Sequence, residues 1–500
     1  MNGASRSSSR RRSEITATLL RSVRRVPLDG GPVEPVDVML ADGMITAVAA
    51  GLAPGDAEVV EGDGRWIAPG LWDEHTHFEQ WAQTALRIDT AGTSDPAAAC
   101  RLVADHIATL SGPADSLVVG FGHRMSAWSR QPDTAELDAV SGAHPVVLMA
   151  GDAHSGWLNS AAQRMYGVSF DGVCTEADWF ALMPRVADDP RALAHARVSR
   201  IREMFALGVV GLVDMVMDDH LGPWQVLASE GVMVPRVQIG VFPSTLDEVI
   251  DAGLRTGDPV PGGDGLLRMG SLKIIADGSL SSLTAGVRDA QGTVHGHFAY
   301  SLDELVALQT RARVHGLSVA THAIGDACLS QVLDAYEASG ATGTIEHAQL
   351  VDRTEIPRIS RLGLPLSVQP WHLVDDWRAM DTLWAGRGED AFPLRSLLDA
   401  GVTLRLGSDA PVAPLDPWRA MAAAVHRNLP ALDPWHPEER ISASEAFRSS
   451  VRTRVAAGQP ADIILLDANP LEPCRDSAAT AQRLLATTVS ATYVAGARRY

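Results

Sequence analysis

The stretch Pro69-Gly70-Leu71-Trp72-Asp73-Glu74-His75-Thr76-His77-Phe78 decides how this chain is read. It has the character of a short strand that ends in two histidines spaced i and i+2. Side chains alternate across a strand, so this spacing puts both imidazoles on one face. Two neutral imidazoles converging at a strand end supply half of a divalent-metal site. A lone His-x-His binds nothing in most chains, so the remaining ligands have to come from elsewhere in the sequence.

Working outward, the 500 residues are too many for one simple core and suggest a large barrel beside a smaller satellite domain. Apolar residues make up 46% and charged residues 21%, as in an ordinary globular enzyme. The net charge of −19 argues against a nucleic-acid partner, which would require a basic face. Cys100, Cys174, Cys328 and Cys474 are scattered without paired spacing, which fits a reducing compartment and excludes a thiolate zinc site. No apolar run is long enough to span a membrane. Residues 1–13 are rich in Arg and Ser with no hydrophobic segment behind them, so they read as a disordered tail and the protein is expected in the cytoplasm.

Residues 14–68 alternate apolar and polar positions over short runs, with Asp42-Gly43 as a turn, and residues 455–500 have the same character. Both ends are therefore expected to build one small β-sandwich. Between them, residues 69–454 alternate strand-like and helical runs, the pattern of βα units. After the opening strand, candidates are Gly208–Asp214, Val232–Val241, Arg268–Asp277, Gly316–His322, Gly343–His347, Leu364–Gln369 and Val402–Asp409. That makes the eight of a closed (β/α)8 TIM-like barrel. A large insertion, about residues 79–207, follows strand one and is expected to cover the barrel mouth.

Functional groups of such a barrel sit at the C-terminal ends of its strands. Lys273, His322, His347 and Asp409 lie at or near such ends. Each alone reads equally well as a core histidine, a snorkelling lysine or a helix cap. Six such residues on five strand ends of one barrel are a more specific pattern. Imidazole and carboxylate suit zinc or a similar divalent ion. A lysine ammonium would repel that ion, whereas a lysine carboxylated by carbon dioxide becomes an anion able to bridge two. Metal-activated water would then do the chemistry, with Asp409 moving the proton.

With these pieces in place, the sequence resembles the amidohydrolase superfamily, and within it the YtcJ-like, N-substituted formamide deformylase-like branch. The resemblance rests on the opening stretch and on Leu-Lys-Ile-Ile-Ala-Asp-Gly-Ser-Leu, Thr-His-Ala-Ile-Gly-Asp, Ile-Glu-His-Ala-Gln and Leu-Gly-Ser-Asp-Ala-Pro-Val, in that order. It implies His75, His77 and Asp409 on one metal, His322 and His347 on a second, and carboxylated Lys273 as the bridge. It further implies hydrolysis of the C–N bond of a small organic amide, of the N-substituted formamide or N-acyl amine type. A cyclic amide, a carbamate, a deaminase-type substrate or a non-catalytic regulatory role on the same scaffold are the alternatives. Leu283 stands where the branch usually has an arginine, which points to a less anionic substrate. For substrate contacts, His154 and Trp157 in the insertion and Trp371 and His372 after strand seven are the candidates, with Trp377 more readily a packing anchor. His295 and His297, in a Gly-rich stretch, are expected in a solvent-exposed or lid segment. The expected partner is a small-molecule amide, with no nucleic acid and no membrane, and a homodimer is the expected assembly if the chain self-associates.

Overall fold

The computed structural model describes residues 17–500 apart from 29, 31–32, 114, 126–127, 171, 217–220, 281–282, 290 and 385, so the Arg/Ser-rich stretch 1–13 lies outside the described residues. Eight parallel strands follow one another around a barrel: β1 (Leu71–Thr76), β2 (Val209–Asp214), β3 (Arg236–Val241), β4 (Leu267–Ile275), β5 (Val319–Ala323), β6 (Gly343–His347), β7 (Leu366–Val368) and β8 (Leu404–Leu406). Each pairs with its sequence neighbour, as short right-handed βα connections require. The barrel closes just beyond β8, where Asp409 N donates to His75 O (2.7 Å) and Thr76 bridges Ala410. Closure depends on a glycine: a Cβ on Gly407 would lie 2.7 Å from His75 N. All eight expected strands are present, several shorter than expected. The third, for instance, begins only after Pro235, which has no N–H to give to the ladder.

The terminal strands form one bent sheet in the order Ala497–Arg498, Val489–Val494, Ile463–Leu466, Trp66–Pro69, Thr18–Arg25, Val36–Ala41 and Met44–Ala49, with Glu58–Glu61 also pairing Thr18–Arg25. Thr18–Arg25 changes partners across a bulge between Leu20 and Val23, and this folds the sheet around a shared core that includes Leu20, Val38, Ile67, Ile463 and Tyr493. Asp42 and Gly43 both have positive φ (51° and 77°), the hairpin turn their side chains favour. Trp66–Pro69 runs through Gly70 straight into β1, so the sandwich fixes where the opening motif enters the barrel.

The insertion carries its own five-stranded sheet, ordered Val173–Thr175, Ser155–Leu158, Val146–Ala150, Val118–His123 and Ile88–Asp89. Alternate residues of Val146–Ala150 face opposite sides. Val146 and Leu148 pack with Ala99, Val103 and Trp157, while Val147 and Met149 pack with Leu158 and Trp179. Helix Pro190–Ala206 behaves differently from the rest of this segment. Its Ile201, Met204 and Phe205 join the barrel core, so it serves as an outer barrel helix. Among the described residues, no helix is long and apolar enough to cross a membrane.

Candidate metal centre

The C-terminal ends of the strands bring the six expected residues together. His75 is fully buried on β1, and His77 sits one residue past it, at the start of helix Phe78–Thr84. Oδ1 of Asp409 lies 3.3 Å from His77 Nε2 and 3.5 Å from His75 Nε2. Lys273 Nζ is 3.2 Å from His75 Nε2. The His347 ring lies 4.7 Å from that of His75 and 4.4 Å from that of His322, centroid to centroid. Donor atoms of His75, His347 and Asp409 all fall within 4.8 Å of one another, the spacing of groups that can share one ion.

Backbone geometry makes this convergence possible. His347 and Asp409 both adopt left-handed φ angles (73° and 60°), costly for residues with a Cβ and concentrated at functional sites. In a regular strand Glu346 and His347 would face opposite sides. The left-handed turn at His347 lets both reach the barrel interior.

Three of the imidazoles, those of His75, His347 and His322, are also held from behind. Glu346 Oε2 is 2.6 Å from His75 Nδ1, and Gln369 Oε1 is 2.8 Å from His347 Nδ1. His322 Nε2 faces Asp277 Oδ1 and Gly278 O, both at 3.3 Å. Asp277 itself is pinned by the backbone N–H groups of Gly286, Ile324 and Gly325, each 2.9 Å away. Such outer contacts fix the tautomer and leave the other ring nitrogen to a ligand. Behind β1, Asp73 accepts from Ser408 N (2.9 Å), and Glu74 is clasped by Arg452, whose guanidinium stacks on Trp72. Glu346, Gln369 and Asp277 were not singled out from sequence. Only Asp277, four residues after Lys273 at the same strand end, carries a readable signal.

Electrostatics suit a cation. Burial, reinforced by neighbouring cationic groups, holds His75 and His347 well below the ordinary histidine range. Burial also lowers His322 and His372, although Asp277 and Asp409 respectively pull the other way. The imidazoles are therefore neutral, the form that donates to a metal. Burial brings Lys273 down to about 8 despite Glu346 and Asp409 nearby. For Asp409, burial is outweighed by the His77 hydrogen bond and the facing imidazoles of His347, His77 and His372, which hold it below the usual carboxylate range. Among the described residues, His77 Nδ1 and His372 Nε2 are buried with no hydrogen-bond partner, so the site presents polar atoms left unmet there. A neutral-imidazole set, a low-pKa carboxylate and orphaned nitrogens together fit a divalent metal.

The four expected substrate contacts separate. His154 and His372 line the cavity over the centre, and Gln349 Nε2 is 2.8 Å from His372 Nδ1. Trp157 does not reach it. That residue is fully buried in the insertion's own core beside Trp128, its indole N–H donating to Asp133 O, because the strand Ser155–Leu158 turns this face away from the barrel. Trp371 lies in an adjoining wide cleft with Arg419 over its ring, not in the cavity itself. Trp377 packs with Leu280, Leu373 and Met380. His295 and His297 lie on an exposed segment, where His295 pairs with Asp289 at 2.8 Å.

Fold and centre together are those of a metal-dependent hydrolase, and the sequence agrees. The Amidohydrolase family profile matches residues 58–500, and the chain belongs to that family. N-substituted formamide deformylase of Arthrobacter pascens is 28% identical, covering 93% of this chain and 94% of its own length. Putative amidohydrolase YtcJ of Bacillus subtilis (strain 168) is 23% identical, over 83% and 86%. An uncharacterized metal-dependent hydrolase from Pyrococcus horikoshii superposes with a TM-score of 0.77 at 22% identity, covering 92% of this chain and 99% of its own. The protein is an enzyme acting on carbon–nitrogen bonds of a small molecule.

Proposed function

We propose that the protein hydrolyses the C–N bond of a small organic amide of the N-substituted formamide or N-acyl amine type, and that His75, His77, His322, His347, Asp409 and a carboxylated Lys273 would hold the zinc that this chemistry needs. The observation that carries this reading is the gathering of His75, His347 and Asp409 donor atoms within 4.8 Å, with Lys273 beside them. Similarity to the Arthrobacter pascens deformylase supports the bond and the substrate class.

A bound divalent ion supplies a Lewis acid and lowers the pKa of water. Asp409, kept ionised, accepts the proton of the attacking water and returns it to the amide nitrogen as the C–N bond breaks, releasing acid and amine. His372 helps to orient the carbonyl. The Gln349 contact at Nδ1 places its proton on Nε2, which is 3.8 Å from Asp409 Oδ2 and lines the cavity. His154, which also lines the cavity, is the second group that orients the amide. Lys273 has a second supporting feature, since burial keeps part of its amine neutral near neutral pH, the form that combines with carbon dioxide. The unpaired state of all four cysteines supports a reducing compartment such as the cytoplasm.

The test is turnover of formamides and acyl amines by protein reconstituted with zinc and bicarbonate, beside Asp409→Asn. The variant should fold and lose about 100-fold or more in kcat. Wild-type turnover in Asp409→Asn would refute the proton role, and a zinc-loaded protein inert to all such amides would refute the substrate class.

A further inference from the structure

A second chamber beneath the insertion adjoins the cavity over the candidate metal centre. His77, Gln80, Ala153, Met183 and Pro411 belong to the walls of both. Beyond these shared residues the lining is mainly apolar, with Phe121, Met149, Trp179, Val186 and Met215, while Glu79, Gln83, Arg87 and Asp214 add polar groups. Trp179 is fully buried and its indole N–H donates to Ala153 O (2.9 Å), so it offers the chamber only carbon surface. The charged groups of the lining are engaged by neighbours, although Arg87 Nε is buried without a partner among the described residues. Glu79 is held by Arg197 (2.8 Å), Arg87 by Gln83 (2.8 Å) and Asp188 (3.5 Å), and Asp214 by Trp224 Nε1 (2.7 Å). Met149, Met183 and Met215 are unbranched and adaptable, suited to arms of varied shape.

The opposite wall of the cavity is acidic. Asp152, Asp375 and Asp376 line it with Arg124, and that guanidinium already donates to Asp375 (2.8 Å) and Val412 O (3.0 Å). An anionic substituent would find the Arg124 guanidinium already engaged on this side and mostly carbon in the chamber.

We infer that the chamber seats a large, uncharged apolar substituent on the amide nitrogen, such as an alkyl chain or an aryl-methyl group, and that amides carrying a carboxylate are rejected. This rests on the proposed hydrolase reading and extends it to the shape and charge of the substrate. The arm enters past His77 and Pro411 and packs on Met149, Met183 and Trp179. The reacting C–N bond stays over Asp409.

The experiment uses the zinc-loaded full-length protein and N-alkyl formamides from methyl to hexyl, with N-formylphenethylamine compared with N-formylphenylalanine, which adds only a carboxylate. kcat/KM should rise about threefold to fourfold per methylene over the first carbons, and the carboxylate should lower it by about 100-fold. Met149→Phe and Met183→Trp, which fill the chamber from different walls, should each cut the hexyl-to-methyl ratio by about tenfold. Turnover of N-methylformamide with no gain along the series, or an unchanged ratio in both folded variants, overturns the chamber and leaves the hydrolase reading standing. If no formamide or N-acyl amine reacts, the proposed substrate class fails. Calorimetric affinity for the N-alkyl acetamides then decides the chamber alone: rising with chain length supports it, and flat affinity overturns it.

Discussion

Glu346 Oε2 lies 2.6 Å from His75 Nδ1, although the two residues belong to strands that are not neighbours in the barrel. Glu346 is itself completely buried and kept in place by the Thr344 hydroxyl. The pair fixes the His75 tautomer and aims Nε2 at Lys273 and Asp409, the direction in which a metal would be bound.

Glu346→Gln keeps the shape and weakens this hold. Metal affinity should fall about 10-fold to 100-fold, as for other partners of metal-bound imidazoles. Competition with a chelator measures it, and wild-type affinity would show that Glu346 does not tune the ligand.

Lys273 gives a pH signature. Its amine is protonated below about 8 and neutral above, and only the neutral form takes up carbon dioxide. At a fixed concentration of dissolved carbon dioxide, reconstitution with metal should therefore quicken about eightfold from pH 7 to pH 8.5, following the neutral fraction. A rate flat with pH would show that Lys273 is not carboxylated in the limiting step.

Trp157 was read from sequence as a substrate contact and is a core residue of the inserted sheet. Trp157→Ala should cost about 3–5 kcal/mol of stability. KM in the folded fraction should stay within about twofold, since the side chain does not line the cavity. Chemical denaturation and steady-state kinetics separate the two effects, and a large change in KM with stability intact would restore the substrate role.

That misreading marks where sequence stops being informative. The eight strands were legible because each buried parallel strand is a short apolar run between turn signals, and the six ligand candidates because they recur at the ends of such runs. Glu346 escaped because strand alternation sets it opposite His347, and only the left-handed φ of His347 brings both inward. Trp157 and Trp179 carry no mark of which side of the inserted sheet they face. One fills its core on the side away from the barrel, and the other walls the apolar chamber. Contacts between segments far apart in sequence, such as Gln349 with His372, depend on where the loops settle.

His123 offers a clean titration. It is fully buried, stacks on Trp128 with ring centroids 5.0 Å apart, and neither ring nitrogen has a hydrogen-bond partner among the described residues. Burial lowers it from 6.5 to about 4. Between these values the unfolded chain binds a proton that the folded protein does not, so folded stability is lost as pH falls below 6.5. The wild type should lose about 3 kcal/mol relative to His123→Leu between pH 7 and pH 4, by the size of that shift. Parallel stability curves for the two proteins would contradict it.

Anomalous diffraction at the zinc edge, on crystals grown with zinc and bicarbonate, decides whether these strand ends hold a divalent metal. Density is expected about 2.0–2.2 Å from His75 Nε2 and an Asp409 oxygen, with a second peak at His322 and His347. Absence of a peak there, or zinc bound only elsewhere on the molecule, would contradict a metal centre at these strand ends.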